Sequence, residues 1–259
     1  MTEQKIHFDD GAAYERVMGV WSRLAGATFL DWLAPARDLS WVDVGCGNGA
    51  FTELIVERCG PVRVHGIDPS EAQLVFARQR NTSGVVDFQT GDALALPFTD
   101  SSLDAAIMAL VIFFVPEPAK GVAEMVRVVK PGGLVAAYAW DIPGAGLPYE
   151  LIVTELRALG VTVPMPPSPS ASLLPNLRQL WTGAGLDAVE LLEITVQRTF
   201  ADFEDFWDTT QLAFSKTFAT MVPHDVDLVK AKARTGLPPD DDGRITYSAR
   251  ANAIKGRVR

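Results

Sequence analysis

The spacing of apolar side chains along residues 40–141 changes repeatedly between the period of a strand and the period of a helix. Strands that alternate with helices in this way are typical of parallel sheets whose strands are joined by crossover helices. The strands predicted in this region are 41–44, 62–68, 85–90, 103–110 and 134–140. The helices predicted between them are 50–58, 70–80 and 119–129. The region therefore predicts an α/β fold.

The pattern also predicts elements on both sides of this region. Residues 11–34 predict two short helices, because Gly19 and Gly26 interrupt the helical spacing. The later elements are a helix 148–159, a proline-rich surface loop 163–175, a helix 176–184, a strand 187–195, an aromatic-rich helical insert 202–236 and a strand 245–255. Together the elements predict one domain, residues 1–259. We expect a doubly wound, mostly parallel, seven-stranded Rossmann-like sheet with helices on both faces and a helical insert before the last strand.

Composition and charge narrow the possible partners. The longest apolar run, 105–115, has 11 residues, whereas a membrane-spanning helix needs about 20, so we expect a buried element and no membrane partner. A net charge of −9 disfavours nucleic acid, because phosphates would be repelled. The acidic N-terminus lacks the pattern of a secretory leader, and two cysteines make no disulfide framework. These features predict a cytoplasmic protein with a small-molecule substrate, either monomeric or homodimeric.

A glycine-rich turn follows the first predicted strand. In the sequence DVGCGNG, residues 43–49, glycines occupy alternate positions just before a predicted helix. Backbone N–H groups and the positive end of a helix meet ligands at such turns, and glycine lets the ligand approach the main chain. Asp68, about 20 residues further on, ends the second strand, where a carboxylate can bind ribose hydroxyls. This arrangement suits a dinucleotide and other adenosine cofactors, so the turn alone does not choose between them.

Four motifs, taken together in their order along the chain, distinguish between these cofactors. They are VDVGCGNGAFT at 42–52, GIDPS at 66–70, GDALALPFTDSSLDAAI at 91–107 and EMVRVVKPGGLVAAY at 124–138. With these motifs the chain resembles class I S-adenosylmethionine-dependent methyltransferases, in particular the ubiquinone/menaquinone-type (methyltransferase type 11) group. The resemblance implies S-adenosyl-L-methionine as cofactor and methyl transfer to a small organic acceptor. It covers residues 14–140 well, and it implies a cofactor-binding core at 40–141, lid helices at 11–34 and a substrate-side half at 142–259.

The resemblance also implies roles for individual residues. Asp43 would lie near the amino group of the cofactor, Asp68 would hold the ribose hydroxyls, and Asp92 would accept from the adenine amine. The other expected cofactor-binding residues are Gly45, Cys46, Gly47, Asn48 and Gly49 in the turn, Pro69 and Ser70 beside the adenine, Gly91 and Ala93 around Asp92, Met108 through its main chain, and Tyr14, Met18, Gly19 and Trp21 in the lid.

The sequence is less informative about the acceptor. Methyl transfer from a sulfonium needs alignment and exclusion of water, and a base only for some nucleophiles; His224 is the candidate for such a base. The sequence contains no cluster of acidic residues that would indicate a metal site. We expect the aromatic insert, with Phe206 and Trp207, to select the acceptor. Two alternatives stay open at this point, namely an NAD(P)-dependent oxidoreductase and a non-catalytic regulator that binds S-adenosylmethionine.

Overall fold

One seven-stranded sheet organises the residues that the computed structural model describes, which are 15–80 and 84–259. Its strands are β1 Ser40–Val44, β2 Arg63–Asp68, β3 Val86–Thr90, β4 Leu103–Ala109, β5 Val129–Trp140, β6 Asp187–Phe200 and β7 Ile245–Arg257. The spatial order is β3-β2-β1-β4-β5-β7-β6. Strands β1 to β5 pair in parallel, whereas β7 runs antiparallel to both β5 and β6. The predicted mostly parallel, seven-stranded fold is confirmed.

Helices connect the strands and supply the rest of the core. They are α1 Val20–Leu33, α2 Ala50–Cys59, α3 Glu71–Ala77, α4 Pro118–Val128, α5 Glu150–Ala158, α6 Leu174–Gly183, α7 Phe203–Thr210, α8 Ser215–Phe218 and α9 Pro223–Gly236. A π-helical turn, Glu15–Gly19, precedes α1. Within the described ranges, no helix combines the length and apolar character that crossing a bilayer requires.

The N-terminal region differs from the sequence-based prediction. A single helix, α1, replaces the two short helices expected between residues 11 and 34, and it runs through Gly26 without a break. Gly26 is buried where α1 crosses α2. A Cβ atom on Gly26 would lie 3.0 Å from Leu54 and from Phe51, and 3.1 Å from the Tyr138 hydroxyl. The glycine therefore permits close helix packing here and does not end the helix.

Strands at the antiparallel edge are longer than predicted. β6 extends to Phe200 and β7 to Arg257, because the two strands pair with each other over almost their whole length. β5 begins at Val129, five residues before the predicted start, and its pairing with β4 changes register between Leu103 and Ala105. A local pattern could not reveal these extensions, since they depend on which strand lies alongside.

The segments after β5 contain the helical insert and the proline-rich loop. The insert, α7 to α9, lies between β6 and β7 in the chain, and α9 packs against α5. The proline-rich loop contains a 3-10 turn, Pro169–Ser172, and α6 starts at Leu174, two residues before the predicted start. Pro175 is compatible with that start, because a proline in the first helical turn lacks only an N–H that would have had no helical partner.

Gly26→Ala tests the close packing between α1 and α2. The added methyl group meets three neighbours at 3.0–3.1 Å, so we expect the free energy of unfolding to fall by about 1–3 kcal/mol. Gly183→Ala is the matched control, because a Cβ there meets nothing within 4 Å at the end of α6. This control should leave stability unchanged or raise it by up to about 1 kcal/mol. Equal effects of the two substitutions in urea unfolding would contradict the packing argument.

Candidate cofactor site

A large cavity opens at the carboxyl ends of the parallel strands. Its volume is about 1360 Å³, larger than the roughly 300–1,000 Å³ of most small-molecule pockets. The loops that follow β1, β2, β3 and β4 all contribute to its lining. Ligands of open α/β sheets bind at this end of the strands. The cavity is therefore the candidate functional site.

The three glycines of the turn after β1 have three different roles. Gly45 has a φ of +77°, and a Cβ there would lie 2.6 Å from the Val111 side chain, so this glycine allows the next loop to pack closely. Gly49, with a φ of +79°, would meet Ala77 at 3.0 Å and does not line the cavity. Gly47, with a φ of +53°, lines the cavity and has nothing within 4 Å of its would-be Cβ. Gly47 is thus the glycine that leaves space for a ligand.

Asp68 fixes the position of this turn. One carboxylate oxygen accepts the Gly47 N–H at 2.8 Å, and the other accepts the Ser70 N–H at 2.8 Å. Burial raises the pKa of Asp68, and these two hydrogen bonds oppose the shift. Ser70, rather than Asp68, caps α3 through the Gln73 N–H. Each Asp68 oxygen can accept a further hydrogen bond, so the carboxylate can support the turn and still bind a ligand in the cavity.

Asp43 lies behind the turn and is fully buried. Its Oδ2 accepts a hydrogen bond from the Thr52 hydroxyl at 2.6 Å, whereas its Oδ1 has no partner in the described part of the chain. Burial raises its pKa to about 7, against the opposing effect of Thr52. Asp43 does not line the cavity. Its free oxygen could therefore accept a hydrogen bond from the turn itself or from a ligand group that reaches behind the turn.

The turn after β3 brings a second carboxylate to the cavity. Asp92 is exposed, and it lines the cavity together with Gly91 and Ala93. The Leu94 N–H donates to Asp92 Oδ1 at 2.9 Å, and the Ala95 N–H donates to the Asp92 carbonyl at 3.1 Å. These bonds hold a tight turn, and the second carboxylate oxygen of Asp92 can accept a further hydrogen bond.

Most residues expected at the site from the sequence line this cavity. They are Gly45, Cys46, Gly47, Asn48, Asp68, Pro69, Ser70, Gly91, Asp92 and Ala93. Burial raises the pKa of the Cys46 thiol, which therefore stays protonated and is not a nucleophile.

Other expected residues lie elsewhere. Met108 is fully buried in the core below the cavity, and Met18 and Trp21 are buried in the core around α1. Gly19 ends the π-helical turn and does not line the cavity, and His224 is exposed at the start of α9. Met18, Gly19, Trp21 and His224 therefore do not line the cavity as the sequence suggested, because the apolar side chains pack inward and His224 lies elsewhere on the surface. The contact expected through the Met108 main chain stays a prediction. Tyr14 lies outside the described residues.

The helical insert does not reach the cavity in the part of the chain that the structure describes. Phe206 is fully buried and Trp207 is 3% exposed. Both rings pack against the ring of Phe203, and the centre of the Phe206 ring lies 5.6 Å from that of Tyr247. The expectation that these two side chains line the acceptor pocket is therefore wrong, since the insert uses its aromatic residues for its own core.

Two further segments complete the cavity. The first follows β4 and contributes Leu110, Val111, Phe114, Val115 and Pro116. The second, residues 162–167, is called the proline strap below. Its proline-rich composition predicts a surface loop, but no local pattern shows which cavity it covers. Ser22, Ala50, Phe51, Ile67, Gln73, Ala109 and Tyr138 complete the lining.

The charged side chains that line the cavity within residues 17–80 and 84–259 are both negative. They are Asp68 and Asp92, and no Lys, Arg or His in these ranges lines it. The same ranges contain no group of three His, Cys, Asp or Glu side chains arranged to hold a metal ion. Carboxylates without a cation partner favour a ligand that carries positive charge or hydrogen-bond donors.

Comparison with known families finds a match for the segment that contains β1 to β5. Residues 42–137 match the family described as "Methyltransferase domain". This segment, 96 of the 259 residues, is similar to a methyltransferase domain. The matched residues include the glycine turn, Asp68 and Asp92, so the recognition made from the motifs is confirmed for this part of the chain.

The chain is also similar to named relatives, and it shares its fold with a solved structure. It is 37% identical over 120 residues to a demethylmenaquinone methyltransferase of Renibacterium salmoninarum, covering 46% of this chain and 48% of the relative. It is 34% identical over 115 residues to a ubiquinone/menaquinone biosynthesis C-methyltransferase of Roseobacter denitrificans, covering 43% and 46%. The chain thus spans about half the length of the curated relatives it matches. The Bacillus subtilis protein YcgJ shares the fold, with a TM-score of 0.60 at 18% identity over 91% of this chain and 98% of that one.

Asp43→Asn tests the burial of this carboxyl group. A folded-state pKa of about 7 exceeds the value of an unfolded chain, about 3.9, so the folded protein binds the proton more tightly. Stability from this group is therefore present at low pH and is lost as the pH rises from about 4 to about 7. Between pH 5 and pH 8 the loss should be about 2–3 kcal/mol.

The asparagine variant keeps an acceptor for Thr52 and has no proton to release. Its free energy of unfolding in urea should therefore decline less between pH 5 and pH 8 than that of the original protein. Asp227→Asn, at an exposed position on α9, is the control and should keep the original decline. The same decline in all three proteins would show that Asp43 does not titrate in this range.

Proposed function

We propose that this protein transfers the methyl group of S-adenosyl-L-methionine to a small organic acceptor by in-line displacement. The observation that carries the proposal is the open space beside Gly47, within a cavity that also contains the Asp68 carboxylate. An adenosine cofactor with a cationic sulfonium fits this combination, because the turn admits a ligand against the backbone and the carboxylates favour its charge.

Residues of the matched segment, 42–137, hold each part of the cofactor in this proposal. Asp68 accepts the ribose hydroxyls, next to Pro69 and Ser70. Asp92 accepts the adenine amine through the oxygen that its own turn does not use. The methionine part lies along the open face of Gly47. Asp43, with its unpartnered Oδ1 behind the turn, supports the end of the cofactor that carries the amino group.

Catalysis then depends on positioning. S-adenosylmethionine supplies an electrophilic methyl group on a good leaving group, so the protein's task is to align the acceptor and exclude water. The proline strap and the segment after β4 close the cavity over the reacting groups. His224 is exposed outside the cavity and has no part in this mechanism. The N-terminal lid acts through α1, from which Ser22 reaches the cavity, while Met18 and Trp21 hold the helix in the core.

The cavity has room for two molecules side by side. Its volume of about 1360 Å³ exceeds that of most pockets for a single ligand. The segment after β4 and the proline strap contribute mainly apolar side chains to the lining, and relatives named for C-methylation in quinone biosynthesis make an apolar organic acceptor a consistent choice. Residues 40–141 form the cofactor-binding part in this proposal, and residues after 141 contribute to the acceptor side.

Two other roles receive less support. A nicotinamide-dependent oxidoreductase would also use the glycine turn and Asp68, but the family match includes the Asp92 turn as well. A regulator that binds the cofactor without catalysis would not need a second, apolar part of the cavity. The buried, free thiols of Cys46 and Cys59 agree with a reducing compartment such as the cytoplasm, which stays a prediction.

The cofactor assignment predicts a binding preference. We expect S-adenosylmethionine and S-adenosylhomocysteine to bind with micromolar affinity, about −8 kcal/mol, and NADH to bind at least a hundredfold more weakly. Isothermal titration calorimetry of the purified chain with each compound measures the difference. Tighter binding of NADH than of S-adenosylhomocysteine would overturn the proposed function.

The open face of Gly47 predicts a difference between two glycine substitutions. Gly47→Ala and Gly185→Ala both place a methyl group in open space at a positive φ, +53° and +80°, at a cost of about 1–2 kcal/mol each. Of these two glycines, only Gly47 lines the cavity. We expect Gly47→Ala to weaken S-adenosylhomocysteine binding at least tenfold and Gly185→Ala to leave it unchanged, at similar thermal stability. Equal affinities in the two folded variants would remove Gly47 from the cofactor site.

A further inference from the structure

The cavity has two sides that differ in chemistry. The turns after β1, β2 and β3 supply backbone groups and the carboxylates of Asp68 and Asp92. The segment after β4 and the proline strap supply a side that is apolar except for Thr162. No charged side chain from either of these two segments lines the cavity. A ligand on that side must therefore do without an ionic partner from them.

Hydrogen bonds attach the proline strap to the segment after β4. The Ser168 N–H donates to the Phe113 carbonyl at 3.0 Å, and the Ser168 hydroxyl donates to the Val115 carbonyl at 2.8 Å. Prolines 164, 166 and 167 restrict the backbone of the strap. The end of the strap is thus anchored, through Ser168, to the segment after β4, and its three prolines limit the shapes that the strap can take.

Met165 is the large side chain of the strap that remains accessible. It is 43% exposed and lines the cavity. Its sulfur lies 3.6 Å from Arg157 Nη2, while the guanidinium pairs with Glu150 at 3.2 Å through Nη1. The Arg157 guanidinium beside the strap therefore already has a carboxylate partner. A flexible thioether at this position can adapt to an apolar ligand.

We propose that Met165 and the proline strap form the acceptor subsite and select uncharged, apolar acceptors over anionic ones. This inference rests on the proposed function, since it specifies which acceptor meets the methyl group. A carboxylate or phosphate on the acceptor would lose its hydration beneath the strap without gaining a cation. Asp68 and Asp92 across the cavity would repel it further. An uncharged ring or chain avoids both costs.

A matched pair of probes tests the inference. 1-Naphthol is uncharged at neutral pH, and 1-naphthoate has the same ring system with a carboxylate. Fluorescence titration gives the dissociation constants of both, with and without saturating S-adenosylhomocysteine. We expect naphthol to bind at least tenfold more tightly than naphthoate. Met165→Arg places a cation on the strap and should reduce this ratio at least tenfold.

Leu212→Arg is the control variant, because Leu212 has a similar exposure, 37%, but lies in the insert and outside the cavity lining. It should keep the original ratio. Both positions are exposed, and thermal unfolding verifies that the variants fold. Equal binding of the two probes to the original protein, or the same change of ratio in both variants, overturns the inference.

The same titrations separate this inference from the proposed function. S-adenosylhomocysteine binding without any dependence of naphthol binding on Met165 overturns the acceptor subsite and leaves the cofactor assignment in place. Absence of S-adenosylhomocysteine binding, with naphthol selectivity that depends on Met165, overturns the proposed function and leaves an apolar binding site beneath the strap. If the protein shows neither S-adenosylhomocysteine binding nor naphthol selectivity that depends on Met165, the proposed function and the acceptor subsite are both overturned.

Discussion

The carboxylate of Asp68 is the interaction on which the geometry of the cavity depends. It joins the glycine turn after β1 to the start of α3 by accepting the N–H groups of Gly47 and Ser70, both at 2.8 Å. Two further bonds, from Gly45 and Cys46 to the Ile67 carbonyl, hold the same turn against the end of β2. A turn with three glycines would otherwise be costly to order, so the space beside Gly47 persists because the neighbouring strand fixes the backbone around it.

The segment after β4 connects the glycine turn to the chain that follows the proline strap. Val111 packs where Gly45 has no side chain, and the Val115 carbonyl accepts a hydrogen bond from the Ser168 hydroxyl at 2.8 Å. One short segment therefore contacts the glycine turn at one end and the end of the proline strap at the other. These contacts fix the relative positions of the two parts of the cavity lining.

The helical insert supports this arrangement from outside the cavity. Trp21 of α1 packs against Phe200 and Tyr247 of β6 and β7, and Phe206 of the insert packs on the same two rings. Aromatic contacts of this kind stabilise by about 0.5–1.5 kcal/mol each beyond the area they bury. The insert thus stabilises α1, from which Ser22 reaches the cavity, and its aromatic residues serve packing rather than recognition.

Sequence alone determined the order of elements and the strand-end residues that line one part of the cavity, because these depend on local features. A glycine turn, Asp68 and Asp92 each follow directly after a strand, and the carboxyl ends of parallel strands meet at one edge of the sheet. Only the tertiary structure decided which apolar and aromatic side chains face the cavity. Phe114 belongs to a wholly apolar stretch and Phe206 to one that contains acidic residues, yet Phe206 is buried in the insert and Phe114 lines the cavity. Hydrophobic burial has no direction, so the pattern of a chain shows that a side chain is buried without showing what it packs against.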